Sequence, residues 1–217
     1  MQALRAKLRE AAQGQMLADP SHDLAHLDRV WGTAQGIAQR EGGDLRVLLG
    51  AAYLHDLVNL PKDAPDRHKA SALSADAAVL ILQSLGYQAG EIDSTCHAIT
   101  AHSFSGGVEP QSLEAKILRD ADRLDALGAI GIARTFVVAG ALDRPLYDPD
   151  DPFAKSRPLD DQRWSIDHWQ VKLLHLSGGM LTDTGQELAQ TRARVMHGFL
   201  RQLSEEIAAD LPEGWAS

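Results

Sequence analysis

At 217 residues the chain is long enough to bury a sizeable core in one domain, or in one domain with a helical extension. Its 44% hydrophobic and 24% charged residues are ordinary for a globular protein. The formal charge of −9 excludes a general binder of nucleic-acid polymers, which needs a basic face, but leaves room for a small phosphorylated ligand beside a bound cation. Cys96 is the single cysteine, so an intrachain disulfide and a thiolate zinc site are both excluded, and a reducing cytoplasm is the expected compartment.

Met1 to Glu10 alternates Leu with Arg and Lys, which reads as an amphipathic helix rather than a signal peptide. Leu4, Leu8 and Ala11 share its face, and Asp19-Pro20 stops it. Ser21 or Asp23 then caps a helix carrying His26, Val30, Ala34 and Ile37, which ends near Gly42-Gly43. Asp44 opens the next, running through Val47, Leu48, Tyr53 and Leu54 to Leu57. A loop over 59–67 is broken by Pro61 and Pro65. Helices follow over 71–85, closed by Gly86, and over 91–101, with a Gly/Ser loop over 103–110. Residues 113–138 read as one long helix, or as two joined at Gly128 or Gly131.

Residues 143–161 change to Asp and Pro and read as an ordered or mobile loop, with a solvated acidic flap as the simplest role. Helices return over 166–176 and 184–210. Abundant Ala, few aromatics and no alternating strand pattern give an all-α fold. One domain is expected, with a core at about 20–140 and a carboxy-terminal helical extension at about 162–210. No apolar run approaches the roughly 18 residues of a membrane span, so no membrane partner is expected.

The chemistry concentrates in Ala51-Ala52-Tyr53-Leu54-His55-Asp56-Leu57, which sets a His and an Asp inside an apolar helix. A buried carboxylate needs a compensating partner, either a structural ion pair or a metal that accepts both groups. Neighbouring helical residues lie about 100° apart, yet a long His and a short Asp can converge. His26 precedes the pair on an amphipathic helix, and Asp122 follows it among apolar neighbours in Ile117-Leu118-Arg119-Asp120-Ala121-Asp122-Arg123-Leu124. Three helices can bring these four groups together.

The order His … His-Asp … Asp resembles the HD superfamily of metal-dependent phosphohydrolases, and in particular its small bacterial hydrolases. The likeness extends to His-Ser-Phe-Ser at 102–105, to Glu114-Ala115-Lys116-Ile117, to Asp120 through Arg134, and to His168-Trp169-Gln170-Val171-Lys172-Leu173-Leu174. It covers roughly residues 20–205. It implies an HD-domain helical bundle with additional carboxy-terminal helices, in which His26, His55, Asp56 and Asp122 hold the metal. His22 competes with His26, which is preferred because the family's ligand falls just before an Arg-Val pair, here Arg29-Val30. Asp120 and Asp125 compete with Asp122, and Asp125, about 300° further round the helix, shares its flank and can orient a ligand.

Such a mixed N/O set suits one divalent ion, with Mn²⁺ favoured and Mg²⁺, Fe²⁺, Co²⁺, Ni²⁺ or Zn²⁺ as the other candidates. The implied reaction is hydrolysis of a small phosphate ester or anhydride by water activated at the metal, with Asp56 helping to take its proton. A nucleotide is the expected substrate, through NTP or dNTP pyrophosphate release or 5′-monophosphate cleavage. Phosphate contacts are expected from Lys62, Arg67, His68 and Ser71 in the loop after His-Asp, and from His168 and Lys172, four apart on one helical face. His102, at a helix end, is a candidate proton donor to the leaving group, or a structural histidine. His97 and His102, about 140° apart, are poorly placed to share an ion. Two other functions stay open, namely a non-catalytic metal-stabilised nucleotide-binding module and a di-iron oxygenase, which would need two more histidine ligands.

Overall fold

The structure is a computed structural model that describes residues 1–15, 23–60, 64 and 66–216. No strand occurs among the described residues, and the fold is all-α. Two compact units divide the chain, Met1–Asp122 and Arg123–Ser217.

The first unit holds α1 (Gln2–Gln13), α2 (Leu24–Glu41), α3 (Leu45–Leu54), α4 (Ala70–Ser84) and α5 (Ala89–His102), with most of α6 (Leu113–Leu124). Its helices begin where side chains satisfy their open backbone amides. Asp23 caps α2 by accepting from His26 N–H at 2.8 Å, which fixes His26 in the first turn, while Ser21 lies outside the described residues. Asp44 caps α3 through Arg46 and Val47 N–H. Gln88 and Glu91 form a reciprocal cap on α5. Helix α3 is the centre of the unit, packing on α1, α2, α4 and α5. Leu48, Leu49, Ala51, Ala52 and Leu54 are fully buried along it. Gly50 permits the close approach, since a Cβ there would stand 3.1 Å from both Leu82 Cδ2 and Tyr87 Oη.

One local expectation fails where it matters most. Helix α3 stops at Leu54, so His55 and Asp56 lie at its end and in the following turn, not inside it. The apolar run to Leu57 looks helical because Leu57 is also buried, at 8% exposure, but it is buried from a turn.

Residues 113–138 resolve into two helices, α6 and, in the second unit, α7 (Gly128–Ala141), which starts at Gly128, whose φ is +68°. A β-carbon at Gly131 would fall 2.2 Å from the Ala126 carbonyl oxygen, which explains a second glycine in that turn. The expected helix over 166–176 is a π-helical turn, Trp169–Leu173, followed by a 3₁₀ turn, Leu174–Gly178. Trp169 is fully buried, with rings of Phe136 and Phe199 at 6.2 and 5.4 Å. Helix α8 (Asp183–Glu206) is capped by Thr182, and α9 (Glu213–Ala216) closes the described chain.

The 143–161 segment is a built structure rather than a solvated flap. Asp151 accepts from Lys155, Ser156 and Arg157 N–H and from Ser156 Oγ–H, at 2.8 to 3.2 Å. Arg157 makes a two-pronged pair with the fully buried Asp167, at 2.6 and 3.0 Å. Phe153, at 1% exposure, anchors the segment.

Gly131→Ala should lower stability by about 2–4 kcal/mol, read as a reduced denaturation midpoint, because backbone stands where the methyl group would go. The backbone amides donated to Asp151 hold its carboxyl down at about 2. Because that value is depressed, its stabilising effect is full above the unfolded value of about 3.9 and is lost as pH falls towards 2. NMR titration of the Ser156 and Arg157 amides should therefore show a midpoint near 2, which Asp151→Asn abolishes.

Candidate metal centre

Four side chains from α2, the end of α3 and α6 converge in the first unit. His26 Nε2 and His55 Nε2 stand 3.4 Å apart, and both residues are fully buried. Asp56 Oδ2 lies 3.7 Å from His26 Nε2 and 3.4 Å from His55 Nε2. Asp122 Oδ1 lies 3.5 and 3.8 Å from the same two atoms. His26, His55 and Asp56 form the tightest set, with ligand atoms all within 4.8 Å of one another.

The chain's own geometry prepares this set for a cation. His55 Nδ1 faces the Ala52 carbonyl at 3.0 Å, which keeps the proton on Nδ1 and turns the Nε2 lone pair inwards. Two carboxylates brought against two imidazoles sealed from water concentrate negative charge and nitrogen lone pairs at one point, which a cation would stabilise. An ion with ligands at about 2.1 Å spaces neighbouring donors by about 3.0 Å at right angles and about 3.4 Å at tetrahedral angles. The observed 3.4 to 3.8 Å suits that spacing with slight contraction, so the residues fit a divalent ion. The carboxylates are 20% and 31% exposed, so water reaches the cluster on their side.

His102, the last residue of α5, joins the group. Its ring lies edge-on to His55 at 4.8 Å, and its Nε2 stands 3.8 Å from Asp56 Oδ1. Asp56 thus offers one oxygen to the imidazole pair and the other to His102. His102 Nδ1 donates to the Ile99 carbonyl at 2.6 Å. Burial, with the neighbouring His55, holds His102 below its ordinary value despite Asp56 and Asp122. The neutral ring therefore presents a lone pair to the site, which suits accepting a proton better than the donation expected from sequence.

His97 does not join the cluster, and its Nε2 accepts from Gln111 N–H at 3.1 Å. Asp125 is buried and pairs with Arg134 at 2.8 Å in the second unit. Asp120 is fully buried. His22 and Lys62 lie outside the described residues. Arg67 and His68 form a 3₁₀ turn with Lys69, Arg67 donates to the Leu60 carbonyl, and His68 is exposed. That turn takes the Lys69 and Ala70 amides on Asp66 and Arg67 carbonyls, so fewer remain for an anion at the start of α4 than the sequence suggests. Ser71 is 4% exposed, and a Cβ on Gly106 would come within 3.0 Å of its Oγ. His168 and Lys172 belong to the second unit, where His168 Nδ1 pairs with Asp161 at 2.8 Å and Lys172 is exposed.

Sequence reasoning misses Arg119. Its guanidinium, 6% exposed, donates to the Ala101 carbonyl through Nε and Nη2 at 2.8 and 2.5 Å and to the Val108 carbonyl at 2.5 Å. It fastens the end of α5, where His102 sits, to the helix that carries Asp122. An arginine between Leu118 and the buried Ala121 was the available signal, since a buried cation must find acceptors.

A model of the HD domain matches residues 23–127. The Bacillus subtilis protein YpgQ is 37% identical over 198 residues, spanning 88% of each chain. The crystal structure of YpgQ in complex with ADP superposes with a TM-score of 0.74 at 34% identity, covering 97% of this chain and 96% of that one. An HD-superfamily hydrolase from Bacillus thuringiensis gives 0.75 at 32% identity, covering 96% and 99%. The chain belongs to the HD superfamily of hydrolases.

Elemental analysis should find a divalent metal at about one ion per chain in wild type. His55→Ala and Asp122→Ala should each lose most of it while keeping helical circular dichroism.

Proposed function

We propose that this protein is a metal-dependent phosphohydrolase acting on a nucleotide. The observation that carries the reading is Asp56, whose two oxygens face different partners, the buried imidazole pair and His102. A site that only stabilised the fold would need closed coordination, whereas here both carboxylates face solvent in part. When bound, a divalent cation held by His26, His55, Asp56 and Asp122 would supply the positive charge that acidifies water and offsets charge on phosphate. Mn²⁺ is our first choice of ion for this mixed donor set.

The chain's own residues then divide the work. Asp56 Oδ1 and neutral His102 Nε2 accept the proton of an attacking water on the exposed side of the cluster. His55 is kept in its tautomer by the Ala52 carbonyl, and His102 by Ile99. Arg67 and His68, with Lys62 from the same connection, supply positive charge and hydrogen bonds to phosphate, and Ser71 adds a hydroxyl. YpgQ in complex with ADP supports a nucleotide ligand for this chain as well. Phe104, 82% exposed two residues beyond His102, offers a ring against which a base can stack.

The HD match runs past Asp122 to residue 127, and α6 is continuous through it. Both facts support treating the whole chain as one HD domain with a carboxy-terminal extension. No single helix among the described residues is long and apolar enough to cross a membrane; we place the protein in the cytoplasm on its single free cysteine, Cys96.

Purified protein loaded with Mn²⁺ should hydrolyse at least one member of a panel of NTPs, dNTPs and 5′-monophosphates, with release of pyrophosphate or phosphate. Asp56→Asn and His102→Ala should lower kcat by about 100-fold or more. Metal bound with nucleotide bound but no turnover on any member would favour the non-catalytic binding module. Phe104→Ala should raise KM for the nucleotide and leave hydrolysis of inorganic tripolyphosphate unchanged.

A further inference from the structure

Helix α1 adds no ligand atom to the cluster, and it precedes the HD match at 23–127. It nevertheless grips the two segments that supply the buried imidazoles. Arg5 Nε donates to Tyr53 Oη at 2.7 Å, and Arg5 Nη2 to Asp28 Oδ1 at 2.8 Å. Arg9 Nε reaches Asp28 Oδ2 at 3.2 Å. Tyr53 Oη in turn donates to Asp28 Oδ1 at 2.5 Å, and Tyr53 is 1% exposed.

The positions of these residues tie them to the metal centre. Asp28 follows His26 by two residues on α2, and Tyr53, on α3, precedes by two the His55 that caps its end. His55 keeps right-handed helical angles, φ −66° and ψ −29°, so the helical step still holds there. Two steps forward on α2 thus match two steps back on α3. Asp28–Tyr53 and His26–His55 are two rungs of the same antiparallel register. Residues two apart point about 200° away from each other, so the rungs lie on different flanks of the α2–α3 contact. A slip of one residue moves one helix about 1.5 Å along the other, enough to break both rungs at once.

We propose that α1, through Arg5 and Arg9, is a positioning element for the metal centre, holding the Asp28–Tyr53 rung and with it the register of His26 and His55. The two guanidinium groups take one oxygen of Asp28 each, and the oxygen that Arg5 holds also accepts from the buried phenol. Partners outside the ligand set commonly tune metal affinity by about 10–100-fold. The proposal rests on reading His26, His55, Asp56 and Asp122 as metal ligands.

The test is Co²⁺ binding to the full chain, followed by visible absorption and by competition with a chelator, beside the melting temperature of metal-free protein. In the Arg5→Ala/Arg9→Ala variant, affinity should fall about 10-fold and the Co²⁺ bands should shift. The Arg5→Lys/Arg9→Lys variant should recover most of both. Tyr53→Phe, which removes one hydroxyl, should show the same band shift and serves if the double alanine variant fails to fold. Wild-type affinity and an unchanged spectrum in the folded variants would overturn the positioning role while leaving the metal centre intact. A wild-type chain that binds no Co²⁺ would overturn the metal reading and this proposal together.

Discussion

Two water-sealed imidazoles 3.4 Å apart, each with two carboxylates 3.4 to 3.8 Å away, form the interaction on which the rest of the structure depends. Left alone, such a group combines desolvation with like-charge repulsion, each unfavourable to folding. A fold that keeps it must recover the cost from hydrophobic packing around it or from a cation within it. Helix α3, buried along most of its length, provides the packing. The proposed ion provides the charge.

The arrangement is built from helix ends more than from helix faces. Asp23 sets where α2 starts and so fixes His26, while α3 stops just before His55. His55 and Asp56, at the end of α3 and in the turn after it, bring Nε2 and Oδ2 to within 3.4 Å of one another. Ser74, fully buried on α4, accepts from Val58 N–H at 3.0 Å and so ties down the chain leaving the His-Asp turn. Arg119 does the same for the end of α5. The segments that carry His55, Asp56 and His102 are therefore held by buried polar contacts.

Much of this was legible in the sequence. Helical periodicity gave every major helix, because amphipathic faces and Asp, Gly and Pro punctuation are local signals. The four converging residues were also legible, since a His-Asp pair among Ala and Leu is conspicuous and its partners follow from the family pattern. Less legible was the end of α3, because Leu57 is buried from a turn and continues the apolar pattern. The Asp/Pro segment looked like a solvated flap because composition cannot say whether a carboxylate accepts water or backbone amides, as Asp151 does. Arg119 and the Arg5–Asp28–Tyr53 network were missed for a related reason. Their partners are carbonyls or residues distant in sequence, which only the folded chain brings together.

The most direct test of the metal centre is anomalous X-ray diffraction from Mn²⁺-soaked crystals. The account predicts one peak at about 2.0–2.3 Å from His26 Nε2, His55 Nε2 and one oxygen each of Asp56 and Asp122. A peak elsewhere, or none there at saturating Mn²⁺, would contradict it.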